Sequence, residues 1–458
     1  MPSVFIKTYG CQMNVRDSEA AAAQFRARGF RLVGSPEAAD VILLNTCSVR
    51  ETAERKALGR MRALAAEARR SRSGAVLGFL GCMAQSRGEE LMRQIPEVRL
   101  VLGPQKLHRA AECAAALLAG RAERICDVGE EPGSERRIRE HLLDGPRRPV
   151  TAFVSIMQGC NQRCSFCIVP ATRGRERSRT IEDILQECRE LAAAGVKEIV
   201  FLGQIVTSYG RGLIPPREGK SPFVQLLEAA HEVEGIERIR FTSPHPRGYG
   251  DDLVAAYGRL PKLCEHAHLP VQSGSNRVLR LMRRGHTRER FLELTEKLRA
   301  VRPRIGLSTD LIVGFPGETE EDFEQTVDLV RRARFDSAFV FKFSPRRGTP
   351  AAESPDQVAR EVVEARHARL LQAVNETASE QYRRMEGRTV EVLVEGPSRK
   401  NPDRLEGRTR CNKIVVFEGG ADLIGALVPV RIERATAVTL YGKPLLREPA
   451  QPALDRSL

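Results

Sequence analysis

Three cysteines fall within one short stretch, Cys160-Asn161-Gln162-Arg163-Cys164-Ser165-Phe166-Cys167. This C-x3-C-x2-C spacing puts three thiolates on one tight loop. That set suits a [4Fe–4S] cluster held through three irons, with the fourth left open for chemistry. A structural zinc site is the alternative, but it wants four ligands, commonly from two short C-x2-C knuckles. No nearby cysteine or histidine supplies the second half. A second constellation is Cys11, Cys47 and Cys82, spaced by 36 and 35 residues. Each stands at or just past the end of an apolar run: Ile6–Cys11, Ile42–Cys47 and Leu77–Cys82. If those runs are parallel strands, all three thiols emerge at the carboxyl edge of one sheet, where ligands of open α/β sheets collect. Gly10 and Gly81 would let backbone approach a bulky inorganic group. The alternative is three buried small hydrophobes. Cys113, Cys126, Cys188, Cys264 and Cys411 share no pattern and read as structural.

The elements that position these residues are legible as alternating strands and helices. Strands are expected at Val4–Tyr9, Val41–Asn45, Ala75–Leu80 and Val98–Leu102. Helices are expected at about Asp17–Arg28, Thr52–Arg70 and Lys106–Leu118. Continuous apolar strands between helices indicate an α/β, doubly wound parallel sheet. A polar stretch rich in Pro and Gly, Glu130–Pro149, reads as a linker or covering segment. The alternation restarts with strands expected at Ala152–Met157, Glu198–Leu202, Arg238–Thr242, Glu265–Leu269, Gly306–Val313 and Ala338–Phe343. Thr180 with Asp183 is a capping-box-like helix start. Six βα units suggest a partial (βα)6 barrel. Pro355 to about Met385 follows a long helical pattern. Val390–Val394, Ile414–Phe417, Leu427–Ile432 and Ala437–Tyr441 then suggest a small all-β barrel. The expected domains are 1–145, 146–385 and 386–447, with a tail at 448–458.

Composition limits the class of protein. The chain has 458 residues, 41% hydrophobic and 29% charged, which suits several globular domains and excludes a mainly disordered chain. No apolar stretch is long enough for a membrane span, and no secretory signal is expected at the start. Eleven cysteines, an odd number without an export signal, argue against a secreted disulfide scaffold and for a cytoplasmic protein. A net charge of +14 points to an acidic partner such as nucleic acid. The basic residues cluster at Arg173–Arg179, at Arg277, Arg280, Arg283, Arg284, Arg288 and Arg290, at Arg346 and Arg347, and at Arg399, Lys400, Arg404, Arg408, Arg410 and Lys413. These suit a phosphate-binding track for structured RNA, although solvated helix faces and loops account for part of them. The absence of tryptophan makes an extended base-stacking platform a poor expectation.

The Cys160–Cys167 loop, set after the first strand of a partial barrel and carrying Phe166, resembles the radical S-adenosylmethionine (SAM) enzymes. The resemblance implies that the open iron binds SAM and that one electron releases a 5′-deoxyadenosyl radical. Thr8–Asn14, Asn45–Glu51 and Gly81–Gln85 resemble the three cysteine motifs of the methylthiotransferases. Gln158–Asn161, His268–Ser275, Met282–Thr287 and Ser308–Thr319 resemble their radical domain, and the C-terminal module resembles a TRAM domain. The likeness spans residues 1–447 in order. Thr8–Asn14 and Asn45–Glu51 are closest to the branch that acts on tRNA.

That resemblance implies two [4Fe–4S] clusters, on Cys11, Cys47 and Cys82 and on Cys160, Cys164 and Cys167, with SAM as co-substrate. It implies methyl transfer to a cluster-bound sulfur, then radical insertion at C2 of N6-(dimethylallyl)adenosine in a tRNA anticodon stem–loop. Gly203, Gln204, Gln272 and Asp310 are the expected SAM or substrate contacts. The alternative for Asp310 is to cap a turn or to pair with an arginine, and Gly314–Glu318 is expected to form a turn near the SAM adenine. His266 and His268 are expected to serve packing. The partners expected are tRNA and a separate electron donor, with no membrane, and a monomer. The chain departs from the branch pattern at Ala171, Ile205, Thr207 and Arg347, all expected near active-site loops. Two alternatives stay open: a ribosomal-protein side chain as substrate, or an RNA-binding iron–sulfur protein without turnover.

Overall fold

The computed structural model describes residues 1–71, 74–137, 139–143 and 149–445. The expected boundary at 145/146 and the expected tail 448–458 lie outside the described residues. The N-terminal sheet comprises β1 (Ser3–Tyr9), β2 (Arg31–Leu32), β3 (Val41–Thr46), β4 (Val76–Leu80), β5 (Val98–Leu102) and β6 (Ile125–Asp127). Its order is β2-β1-β3-β4-β5-β6, with every pair parallel. The strands are apolar throughout because both faces are covered. Leu43, Leu80 and Leu100 meet Phe25 and Leu117 on one side, and Leu44 and Phe79 meet Met61 and Leu64 on the other. The edge strands β2 and β6 are too short to carry a periodic signal. The first helix runs Gln12–Ala27, beginning five residues before the expected Asp17. Asn14 anchors that early start, its Oδ1 accepting from the Cys11 N–H at 3.4 Å.

The central domain contains β7 (Thr151–Ser155), the antiparallel pair β8 (Met157–Gln158) and β9 (Arg177–Ser178), then β10 (Glu198–Leu202), β11 (Arg238–Phe241), β12 (His266–His268), β13 (Gly306–Val313) and β14 (Ser337–Lys342). Two parallel sheets, β7-β10-β11 and β12-β13-β14, are joined by a parallel bridge between Ile239 and Leu263. The result is a six-stranded arc with no pairing between β7 and β14 among the described residues. Thr180 caps the helix Ile181–Ala193 by accepting from the Asp183 N–H at 3.2 Å. Ile199, Phe201, Ile239 and Phe241 face outward onto helices. The alternate residues Glu198, Arg240, His266, His268, Ser308 and Asp310 line the interior.

After the helix Arg360–Arg383 come β15 (Thr389–Pro397), β16 (Leu405–Thr409), β17 (Ile414–Phe417), β18 (Leu427–Ala435) and β19 (Leu440–Pro444), closed as β15-β16-β17-β19-β18. The strand β16, Leu-Glu-Gly-Arg-Thr, is hidden in the sequence by its charges and its glycine. A side chain at Gly407 would overlap the Leu393 carbonyl.

This small barrel docks against the N-terminal mouth of the arc. Arg240 donates to the carbonyls of Thr409 (2.8 Å) and Arg410 (2.9 Å), and Arg238 to that of Arg408 (2.7 Å). Arg410 pairs with Glu265 at 2.7 Å, and Lys413 pairs with Asp336. Arg410 and Lys413 therefore fasten two domains together and do not form the RNA track expected of them. Arg399 and Lys400 remain exposed. Among the described residues, no helix is long and apolar enough to cross a membrane.

Candidate active site

Cys11, Cys47 and Cys82 follow β1, β3 and β4, three adjacent strands of the N-terminal sheet. The chain direction across the sheet reverses between β1 and β3, the place where open α/β sheets form a ligand crevice. Beneath the thiols lies a polar layer. Asn45 Nδ2 donates to the Asn14 carbonyl and to Ser18 Oγ, both at 2.9 Å, and Asn14 Nδ2 donates to Asn45 Oδ1 at 3.3 Å. A side chain at Gly10 would overlap Asn14, and one at Gly81 would overlap Asn45. The two glycines are needed to bring the cysteine loops down onto these amides.

Cys160, Cys164 and Cys167 occupy the loop between β8 and β9. Both triads open into one cavity of about 1850 Å³. The N-terminal domain caps it, with Met13 packing on Val200 and Leu202 of β10. The docked small barrel closes its floor, contributing Arg408, Asn412 and Ile414.

The electrostatics separate the triads. A hydrogen bond from Cys47 holds the Cys11 thiol well below its ordinary value, and the same bond with burial pushes Cys47 up. Burial pushes Cys82 up, opposed by Arg173. Burial raises Cys160 to about 11 and Cys167 to about 12, opposed in part by Arg284. Buried neutral thiols such as Cys47, Cys82, Cys160 and Cys167 become ligands by releasing protons as metal binds. The donor set fits an iron–sulfur cluster at each triad. It consists of three thiols on the cavity wall with one arginine beside them: Arg284 Nη1 lies 3.6 Å from Cys164 Sγ, and Arg173 acts on Cys82. Among the described residues no three cysteine, histidine or carboxylate groups converge as ligands of a single ion.

The other expected contacts line the same cavity. Gln204 Oε1 accepts from the Gly159 N–H at 2.5 Å, tying the loop after β10 to the residue before Cys160. Gly203 packs against Met157, whose Cγ would lie 2.6 Å from an added Cβ. Gln272 holds a left-handed backbone, φ +72°, and exchanges backbone hydrogen bonds with Asp310 and Ile312 at 2.9 Å. Asp310 neither caps a turn nor meets an arginine. It faces His268 Nε2 at 3.4 Å, while His266 and His268 share the Ser308 hydroxyl at 3.0 and 2.9 Å. The two histidines thus belong to the cavity wall, where the sequence suggests packing. Gly314 N–H donates to Glu318 Oε2 at 2.8 Å. Burial raises the Glu318 carboxyl to about 7 against the pull of Arg366. That turn is anchored to the trailing helix.

Of the four departures from the branch pattern, only Ile205 lines the cavity. Thr207 Oγ1 accepts from the His245 N–H at 3.1 Å, Ala171 faces outward, and Arg347 reaches Glu90 of the N-terminal domain at 3.1 Å. Three of the four arginines in the Arg173–Arg179 run are engaged within the protein, while Arg175 is exposed. Arg173 pairs with Asp17, Arg177 with Glu135, and Arg179 with Asp183 and Glu187. Arg277 pairs with Asp322 and Arg288 with Asp328. The cavity residues not singled out from the sequence include the stacked pair Phe339 and Phe341, whose centroids lie 6.5 Å apart. Their period-two placement on β14 was the available signal.

Three families match in chain order: the uncharacterized protein family UPF0004 over residues 3–103, the radical SAM superfamily over 154–330, and the TRAM domain over 383–445. The chain is similar to the tRNA-2-methylthio-N(6)-dimethylallyladenosine synthase of Opitutus terrae, at 53% identity over 97% of this chain and 98% of the relative. The synthase of the same name from Akkermansia muciniphila is 52% identical over 97% and 99%. The fold is shared with the radical S-adenosylmethionine methyltransferase TsrM from Kitasatospora setae, with a TM-score of 0.57 and 15% identity over 77% of this chain and 75% of that one. With identity above one half along nearly its whole length, the chain belongs to the family of tRNA-2-methylthio-N(6)-dimethylallyladenosine synthases.

Proposed function

We propose that this protein methylthiolates C2 of N6-(dimethylallyl)adenosine at position 37 of tRNA, next to the anticodon. The observation that carries the reading is the shared cavity onto which both cysteine triads open. Cys160, Cys164 and Cys167 would hold the cluster that binds SAM. Cys11, Cys47 and Cys82 would hold the cluster that carries the sulfur. When bound, these groups supply one-electron chemistry and the methyl and sulfur donors that no side chain provides.

The remaining work falls to the chain. An aromatic C–H is too weakly acidic for ordinary side-chain bases, so the residues position and shield rather than abstract a proton. Gln204 fixes the loop that leads into Cys160. His268, Asp310 and Gln272 present polar groups from the middle of the arc, and Phe339, Phe341 and Ile312 form an apolar wall. The gap between β7 and β14 suits a base turned out of the RNA while the backbone stays outside. Exposed Arg399 and Lys400 are candidates for phosphate contacts. On this reading the protein acts as a monomer in the cytoplasm, with an external electron donor.

The test is anaerobic reconstitution with isopentenylated and unmodified anticodon stem–loops, SAM and a reductant, followed by mass spectrometry of the nucleosides. A methylthio product from the isopentenylated substrate is expected. SAM cleavage without that product would favour another substrate, and no 5′-deoxyadenosine at all would leave an iron–sulfur RNA-binding protein without turnover.

A further inference from the structure

Arg173 sits where the two halves of the site meet. It ends the short helix Val169–Arg173, six residues past Cys167 in the central domain. Its Nη2 donates to Asp17 Oδ2 at 2.6 Å. Asp17 stands six residues past Cys11 in the N-terminal domain. The arginine is only 2% exposed. Its Nη1 has no hydrogen-bond partner among the described residues. The side chain lines the cavity. A buried guanidinium N–H without a partner is costly, and the charge beside it has three anionic influences: Asp17, Cys82 and Cys11.

We propose that Arg173 is the cationic partner of the cluster held by Cys11, Cys47 and Cys82, lent to it across the domain boundary, and that it sets that cluster's reduction potential. The inference rests on the ligand assignment made above. It makes Arg173 a positioning residue, with the free Nη1 as the donor toward the cluster. A positive charge close to an iron–sulfur core favours the reduced, more negative state. Net charge and hydrogen bonds to sulfur are among the factors that tune such potentials. Arg284 stands in the corresponding place beside Cys164, so each triad has its own arginine. The N-terminal cluster is peculiar in drawing its arginine from the other domain. Arg173 acts on Cys82 ahead of Asp17, and on Cys11 as well.

The test uses the full chain with Cys160→Ala, Cys164→Ala and Cys167→Ala, so that only the N-terminal cluster remains. Arg173→Met alone would strand a buried carboxylate, so it is combined with Asp17→Asn. After anaerobic reconstitution, iron per chain and the midpoint of the reduced-cluster electron paramagnetic resonance signal are read by potentiometric titration. The Asp17→Asn/Arg173→Met chain is expected to keep its iron and to show a midpoint more negative than its parent. Asp17→Asn alone is expected to shift the midpoint the opposite way, because Arg173 then faces the cluster unshared. A purely structural pair would not give shifts of opposite sign. An unchanged or more positive midpoint in the double variant, or a more negative one in Asp17→Asn, overturns the inference. A parent chain that binds no iron overturns the ligand assignment itself, and the inference with it.

Discussion

Replacing Gly81 by alanine probes how the N-terminal site is built with the smallest possible change. Gly81 holds φ +87° and ψ −153°, a region essentially closed to residues with a Cβ. Forcing alanine into it costs about 1–3 kcal/mol. The added methyl also overlaps Asn45 Oδ1 and comes within 3.1 Å of the Thr46 carbonyl. Asn45 is fully buried and cannot move without loosening its bonds to the Asn14 carbonyl and Ser18 Oγ. Each such bond is worth about 1 kcal/mol net. The total is roughly 3–5 kcal/mol, a large share of a domain's typical 5–15 kcal/mol. The strain is confined to the loop that carries Cys82. Reconstituted Gly81→Ala should therefore lose about half its iron, one of two four-iron clusters, and should melt earlier, while still cutting SAM reductively. Gly29→Ala is the control. Gly29 has φ +79° in the same domain but nothing within 4 Å of an added Cβ. It should bear only the backbone cost, about 1–2 kcal/mol, and keep all its iron. A Gly81→Ala protein with wild-type iron and melting temperature would refute the reasoning.

Changing Cys11, Cys47 and Cys82 together to alanine should lower iron by roughly half and abolish the methylthio product while 5′-deoxyadenosine still forms. Cys160→Ala should abolish 5′-deoxyadenosine, and a variant that still makes it at the wild-type rate contradicts the assignment. Arg399→Glu with Lys400→Glu should weaken RNA binding and reduce the slope of log K against log salt by about 0.7–0.9 per lost phosphate contact. Filter binding across a salt series reads this, and an unchanged slope places the RNA elsewhere. His141 lies between Glu187 (2.7 Å) and Glu19 (3.2 Å). Burial and Arg16 pull its pKa down, but the hydrogen bonds to both carboxylates outweigh them and raise it. Its stabilising contribution is then full below the unfolded value of about 6.5 and fades as pH rises through the raised native value. The gap in melting temperature between wild type and His141→Gln should shrink over that interval; a gap that widens with pH would reverse the sign.

The six cysteines were legible because each stands at a strand end or on a loop whose spacing is itself the signal. Parallel order turned the 36- and 35-residue intervals into adjacency at one edge. Strand interiors such as Glu198–Leu202 and Gly306–Val313 were equally readable, being short β-rich runs between capped helices. The arginines were not. Arg173 finds its partner 156 residues away, and Arg240 finds the Thr409 carbonyl 169 residues away. A basic run looks the same in a sequence whether its charges meet phosphate or buried carboxylates. The contact between His268 and Asp310 escaped for a related reason. Their relation depends on the register between β12 and β13, which pairs His268 with Ser308 and so brings Asp310 alongside. Short edge strands and β16 lacked the length or hydrophobicity to declare themselves.

The unclosed arc also bears on how a polymer can reach a sealed chamber. A full ring of strands would leave entrances only at its two ends, and here one end lies under the N-terminal domain and the other under the docked β-barrel. The missing seam between β7 and β14 leaves a side doorway below the N-terminal domain, whose Arg50 lies over Phe341; it is marked by Phe339, which sits on the edge strand and is 56% exposed. A nucleotide can pass through such a doorway sideways, with the strand that bears it running past outside and no end to be threaded. The chamber can then be loaded and emptied without parting any of the three domains, so turnover need not break the Arg240, Arg410 or Lys413 contacts that hold the floor in place.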